Sequence, residues 1–523
     1  MAHPRLNTIP PEILDGILDY IEMDTEKRQN AFLSLSYTCR DLRDFGQARL
    51  LHTIDFTWPI EDRILMIGLV CSGVPKSYQP RPFCPDPRLH LLLRTILTRP
   101  DLALNIYHVH LDSWNVYMLE EYCREHGVQA SYNDREIESL KSLLLTLALP
   151  DKGMWLKRVF AGDNDSIAAL VISQLVNLCS LDLVVDYSKN RIHPRMLWTM
   201  FAHVFNREYR PQSTFPEQGT VHFAKLKKLK YNTQRYMKLP LIDTDVHQLA
   251  PLFSLPALDD VALSLLDLPL VKTLDFTQSN ITTLYLQHSV VEVAEGVLKA
   301  CPRLRSLYYV LDIYMSRDDP PSYFNLPKLQ RALNWVKDTL ETLTVIGNFF
   351  LDEYGNSMIW TSSFNEYSGI IGRLSEMSSF MNLTTLNTTL MFLTGYQDPE
   401  GLTLADVLPP NLQEFGIINL DGVILQSWES NEDQFRMCEI VTQHFLEMDK
   451  SQSTRPWLER INFEIDHFVQ VESSYELIEA IEKLGVEFLS SVLGYDSPWP
   501  WRRARRFENG YLDRLGRPRP DDE

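Results

Sequence analysis

An apolar phrase recurs ten times along this chain: an aliphatic residue, two spacers, a second apolar residue, one spacer, and a third position that is apolar in every copy but one. The copies are Ile106, Val109, Leu111; Leu178, Leu181, Leu183; Leu226, Leu229, Tyr231; Leu258, Val261, Leu263; and Ile281, Leu284, Leu286. They continue as Leu304, Leu307, Tyr309; Leu340, Leu343, Val345; Leu383, Leu386, Thr388; Leu412, Phe415, Ile417; and Leu458, Ile461, Phe463. The last two positions alternate, so their side chains share one face of a short strand, and the first turns the chain into it. Prolines at 256, 302, 409, 410 and 456 precede several copies and end whatever helix came before. Helix-periodic stretches lie between copies at 290–299, 330–338 and 435–446. A further helix is expected over 88–98, after a proline-rich loop at 74–87 and before Arg99 and Pro100.

Strands alternating with helices under a Leu-x-x-Leu-x-Leu phrase resemble a leucine-rich repeat, whose units stack into a solenoid with parallel strands on a concave face. First positions fall at 106, 178, 226, 258, 281, 304, 340, 383, 412 and 458, and only the steps from 258 to 281 to 304 match the usual length of about 20–29 residues. The asparagine or cysteine position of a regular repeat is missing. An unrelated α/β domain whose strands begin with leucine is the alternative. On the solenoid reading, solvent-facing candidates on the concave face are Asp182, Lys228, Lys230, Tyr285, Gln287, Tyr308, Thr344, Asn387, Gly416 and Asn462. Their chemistry is mixed and names no ligand.

The first fifty or so residues follow another pattern. Pro10 and Pro11 suit the first turn of a helix, Thr8 can cap it, and Glu12 suits the positive end of its dipole. Ile13, Leu14, Ile17, Leu18 and Ile21 then form one apolar stripe. After a polar connector at 24–28, a second helix would align Phe32, Leu35 and Cys39, and a third, beginning near Asp41, would use Leu42, Phe45 and Ala48. Three such helices bury too little surface to stand alone. Their stripe must be covered, by a partner or by the rest of the chain.

The run Ile9-Pro10-Pro11-Glu12-Ile13-Leu14, followed by Ile17, Leu18 and Ile21, then by Leu35-Ser36-Tyr37-Thr38-Cys39-Arg40, resembles the F-box. The closing Ala48-Arg49-Leu50-Leu51-His52-Thr53-Ile54 is similar to the end of many fungal F-box segments. Ile9 stands where the family carries leucine, and the connector at 22–30 is charged and long. The resemblance implies docking on the Skp-type adaptor of a cullin–RING ubiquitin ligase through Ile9, Pro10, Ile13, Ile17, Leu18, Leu35 and Cys39, with the rest of the chain selecting a target protein.

Composition narrows the classes. The 523 residues are 45% hydrophobic and 23% charged, as in ordinary globular proteins. Fifty Lys and Arg against 69 Asp and Glu give a net charge of −19, which repels nucleic-acid phosphate. Met1-Ala2-His3-Pro4-Arg5 leads into the first helix without an apolar leader, and no apolar run reaches the roughly 18 residues of a membrane span. Seven scattered cysteines without a Cys-x-x-Cys fit reduced thiols, so a cytoplasmic or nuclear location is expected. Asn280-Ile281-Thr282, Asn382-Leu383-Thr384 and Asn387-Thr388-Thr389 match glycan acceptors and, without a secretory signal, read as accidental. The basic cluster Arg502, Arg503, Arg505 and Arg506 is either a targeting signal or a tail held to the last repeat by Trp499, Trp501 and Phe507.

Catalytic motifs are absent: there is no phosphate-binding Gly-x-x-x-x-Gly-Lys loop, no Gly-x-Gly-x-x-Gly, no Gly-x-Ser-x-Gly and no His-Glu-x-x-His. His108 and His110 share a strand face and could begin a metal site, but no third ligand lies near in sequence. The pairs Asp259-Asp260 and Asp318-Asp319 are adjacent, so their side chains point apart, and Cys39 reads as a packing residue. No cofactor or metal is expected.

The expected fold is therefore α/β: a small N-terminal helical F-box (1–55), a helical and proline-rich connector (56–100), an irregular leucine-rich-repeat-like solenoid for target recognition (101–495) and a basic tail (496–523). The expected function is that of a non-enzymatic substrate-recognition subunit of an SCF-type E3 ubiquitin ligase, binding the Skp-type adaptor and cullin complex and an unknown protein substrate, with no membrane or nucleic-acid partner. The alternative is a non-ligase protein-interaction scaffold built on the repeat domain.

Overall fold

The computed structural model describes residues 34, 37, 40–56, 87–112, 132–147, 149–186, 195–208, 223–234, 250–264, 279–287, 291–315, 324–351, 370–389, 392–393, 404–418, 458–465 and 487–492. They form a mixed α/β fold with parallel β-sheet. The chain divides into two compact units, Met1–Leu284 with Ala300–Arg303, and Tyr285–Lys299 with Leu304–Glu523.

In the first unit β1 (Thr53–Phe56), β2 (His108–Asp112), β3 (Ser180–Asp186), β4 (Lys228–Gln234) and β5 (Asp260–Ser264) pair in chain order, each pair parallel. The division between units falls inside β6 (Thr283–Gln287). The second unit carries β7 (Ser306–Met315), β8 (Phe324–Asn325), β9 (Thr342–Leu351), β10 (Ile370–Ile371), β11 (Thr385–Thr388), β12 (Glu414–Ile418), β13 (Arg460–Ile465) and β14 (Glu487–Val492). Here β7, β9, β11, β12, β13 and β14 again pair parallel and in order, while β8 and β10 form a separate parallel pair.

The second and third positions of every copy of the apolar phrase lie on these strands. The register stacks like on like. Ile54, Val109, Leu181, Leu229 and Val261 form one row of the first unit. Leu307, Leu343, Leu386, Phe415, Ile461 and Phe488 form the matching row of the second. Every member of these rows whose side chain is described is buried, as are the first positions from Ile106 to Leu412. Period-two alternation thus places one row per strand in the core.

Besides the short pair β8 and β10, two strands lie outside the ten copies. β1 obeys the phrase, with Leu51, Ile54 and Phe56, across the end of the segment expected to be helical. The helix Arg40–His52 runs straight into it, and the domain boundary drawn at residue 55 falls within this strand. β14 carries only the second position, Phe488; Gly485 and Ser490 occupy the other two.

A parallel neighbour must be reached by a crossover. Helices Pro87–Thr98, Val291–Ala300 and Leu326–Leu333 occupy crossovers where helices were expected, the last giving way to turns before residue 338. The 435–446 stretch lies outside the described residues. Helices Pro100–Ala103, Asp134–Thr146, Lys152–Phe160, Asn164–Ser173 and Arg195–Glu208 also belong to the first unit. Asn133 opens the second of these through a reciprocal capping box with Glu136. Burial alone would raise the Glu136 carboxyl, but the Asn133 N–H and the Arg94 guanidinium, 2.7 Å away, hold it below its ordinary range. Asp165 accepts the N–H groups of Met196 and Leu197 at 2.8 and 3.2 Å, and so caps the following helix.

Successive copies are tied at the turn into each strand. Cys179 and Ser180 both donate backbone N–H to the Tyr107 carbonyl, Lys227 and Lys228 to Cys179, and Asp259 and Asp260 to Lys227. In the second unit Glu341 and Thr342 share the Arg305 carbonyl, Thr384 and Thr385 that of Glu341, and Gln413 and Glu414 that of Thr384. Asparagines reinforce this. Asn177 Nδ2 donates to the Leu104 carbonyl (2.7 Å), Asn280 to Pro256 (3.1 Å), Asn382 to Asp338 (2.6 Å) and Asn411 to Met381 (2.7 Å). Each stands one residue before a first position and reaches the residue two before the first position of an earlier copy. A recurrent asparagine is therefore present, but it precedes the phrase. Where the next copy carries a cation instead, that cation donates to the asparagine oxygen: Lys225 to Asn177 at 2.7 Å and Arg303 to Asn280 at 3.0 Å.

Candidate interaction face

Strand alternation turns one residue in two away from the core rows. In the first unit many of these outward residues are charged, and several are matched across strands. Parallel register sets Asp55, His110, Asp182, Lys230 and Ala262 side by side. Asp182 Oδ2 lies 3.1 Å from His110 Nδ1 and 3.5 Å from Lys230 Nζ, and Lys228 Nζ lies 3.3 Å from Asp260. Such half-exposed pairs contribute about 0–1 kcal/mol each. Their consequence is a face whose opposite charges are interleaved. The His52 ring stacks on Tyr107 with centroids 5.0 Å apart and lies 5.1 Å from that of His108. His110 engages Asp182, and among the described residues no three His, Cys, Asp or Glu side chains converge as metal ligands.

The corresponding row of the second unit carries no charge: Tyr308, Thr344, Asn387, Gly416 and Asn462 lie in register. Tyr285 stacks on Tyr308 with centroids 4.4 Å apart and planes 6° from parallel. Burial raises the Tyr308 phenol above its ordinary range, and its hydrogen bond with Tyr285 opposes that rise. Asn387 Nδ2 donates to Thr344 Oγ1 at 3.3 Å. Its oxygen occupies the place of the side chain that Gly416 lacks: a Cβ there would lie 2.0 Å from Asn387 Oδ1. Beside this neutral row, Arg460 pairs with Glu414, and Arg305 lies 3.6 Å from Glu341.

Three residues expected to face solvent are buried: Thr344, Gly416 and Gln287. For the first two the cause is lateral packing. Asn387 lies across Gly416 toward Thr344, so outward pointing does not become exposure. Asp182, Lys230, Tyr285, Tyr308, Asn387 and Asn462 are half-buried, and Lys228 is exposed. The adjacent carboxylates have separate roles: Asp259 accepts the Thr282 hydroxyl, and Asp260 pairs with Lys228. Cys301 is buried, which pushes its thiol up to about 12, against a hydrogen bond from Ser279 that pulls it down.

The residues expected to bind an adaptor, Ile9, Pro10, Ile13, Ile17, Leu18, Leu35 and Cys39, lie outside the described residues, as do Asp318, Asp319 and the basic tail. No family model matches this chain, and no curated protein matches it. No helix among the described residues is long and apolar enough to cross a membrane. Sequence reasoning overlooked the asparagine ladder, whose signal was an Asn directly before five of the ten first positions, 106, 178, 281, 383 and 412, the last four of which carry the ladder bond described above.

Proposed function

We propose that this chain is a non-catalytic recognition subunit: a degenerate leucine-rich-repeat-like solenoid that binds a target protein, joined to an F-box-like N-terminus that docks on a Skp-type adaptor of a cullin–RING ubiquitin ligase. The observation that carries the reading is the in-register stacking of one apolar phrase through consecutive parallel strands, which gives the outward rows a regular pitch. Surfaces of that kind suit an extended protein partner. Joined to an adaptor, such a body would act by raising the local concentration of its target near a loaded conjugating enzyme.

The helix Arg40–His52 favours a second reading as well. It runs into β1, which pairs with β2, so the N-terminal segment would serve as an end cap for a scaffold outside any ligase. Co-purification of the full chain with a Skp-type adaptor separates the two. Loss of the adaptor from Pro10→Ala/Ile17→Asp, with an unchanged melting temperature, is expected for docking through an interface of about 800 Å² per partner. Adaptor binding that survives these substitutions would rule out docking through this stripe, and its absence from the unaltered chain would leave the scaffold reading in its place.

A further inference from the structure

The three Asn-x-Thr triplets are built into the pairing of the sheet. Asn280 donates Nδ2 to the Pro256 carbonyl and accepts from Arg303. Asn382 Nδ2 lies 2.6 Å from the Asp338 carbonyl oxygen, and Asn387 Nδ2 lies 3.3 Å from Thr344 Oγ1. Two of the threonines are hydrogen-bonded and the third is buried. Thr282 donates to the Asp259 carboxylate, Thr384 to the Glu341 carbonyl at 3.1 Å, and Thr389 is buried. Asn177 and Asn411 make the same bond to an earlier copy, with Cys179 and Gln413 two residues on. The bond at 280 and 382 therefore belongs to the position before the phrase, and a triplet arises where threonine fills the turn that follows.

N-linked glycosylation replaces one hydrogen of Asn Nδ2 with a bond to a sugar carbon. At Asn280 and Asn382, both exposed, the hydrogen that remains can keep the bond to the earlier copy while the sugar extends into solvent. At Asn387 the ring would have to fit between Thr344, fully buried, and Gly416, already filled by the Asn387 side chain. We infer that Asn280, Asn382 and Asn387 are strand-pairing residues and that a glycan on Asn387 is incompatible with this fold. The chain must then fold with the Asn387 amide unmodified, and glycosylation of its unfolded form at that residue would trap it.

The test expresses the full chain behind an added signal peptide in a secretory host, with and without an inhibitor of N-glycosylation, beside the same chain made in the cytosol. Mass spectrometry reads occupancy, and limited proteolysis with thermal melting reads the fold. Chains occupied at Asn387 are expected to lose the protease-resistant core that the inhibitor-treated and cytosolic chains keep, and Asn387 is expected to be vacant in the folded secreted fraction. A chain occupied at Asn387 with the resistance and melting temperature of the cytosolic one would overturn the inference. In the cytosolic chain Asn382→Ala is expected to lower the melting temperature by about 2–4 °C. No shift there would remove the pairing role whatever the secretory host does.

Discussion

Replacing Phe415 by alanine is expected to cost the second unit about 3–5 kcal/mol. Its ring is fully buried and stands in register between Leu386 and Ile461, in the row that begins with Leu307 and Leu343. The size of the loss depends on how far the site can close around the missing ring. Here the walls are strands held at a spacing of about 4.8 Å by ladder hydrogen bonds, so they cannot move together without breaking the ladder. Most of the cavity should persist. Amide hydrogen exchange reads the effect locally: protection in β11, β12 and β13 should fall together. Phe415→Leu, which keeps most of the volume, should lose far less. Protection in those strands that is unchanged by the alanine would mean the row does not hold the unit together.

Gly372→Ala is expected to destabilise by about 2–4 kcal/mol, by a different route. Gly372 has φ of +73°, which an alanine adopts only at a cost of about 1–2 kcal/mol. An added Cβ would also lie 2.7 Å from both Cδ and Cγ of Pro327. That ring cannot swing aside, because Pro327 sits in the first turn of the Leu326–Leu333 helix, where Asn325 caps the Lys328 N–H at 2.9 Å. Overpacking of this kind costs about 1–3 kcal/mol. Gly153→Ala supplies the contrast. It sits in the Lys152–Phe160 helix, where a Cβ would meet only Asp151 Oδ1, at 3.7 Å. There alanine should stabilise by up to about 1 kcal/mol through helix propensity. Urea midpoints that move the same way for both variants would contradict this account.

The strands were legible because a period of two with a fixed lead residue has few other readings. Legibility failed where another pattern overlay it: Leu51, Ile54 and Phe56 keep the phrase, but the first two belong to a stretch read as the end of a helical segment and the third lies past its boundary. It failed again at β14, where Gly485 and Ser490 leave Phe488 alone. The Asn164–Ser173 helix is buried at every position but Asp165, so it offers no amphipathic period to detect. On the outward face, alternation named the right residues and misjudged their exposure at Thr344 and Gly416, because it is blind to a side chain lying sideways over a glycine. The ladder asparagines were invisible for a related reason: one Asn before one leucine means nothing until the register sets it beside an earlier copy.

The shared carbonyls have a consequence for how such a chain can change over time. Each strand takes its position from a few atoms at its entrance, and those atoms consult only the strand before. What lies between two entrances can lengthen or shrink with little penalty, since doubling a flexible excursion costs only about 0.6 kcal/mol. Intervals of 72 residues between 106 and 178, and of 32 between 226 and 258, are then equally admissible among the paired strands of the first unit. Insertions would drift freely while the entrances stay put, and kinship between such chains would survive in geometry long after it had faded from any linear comparison of their letters.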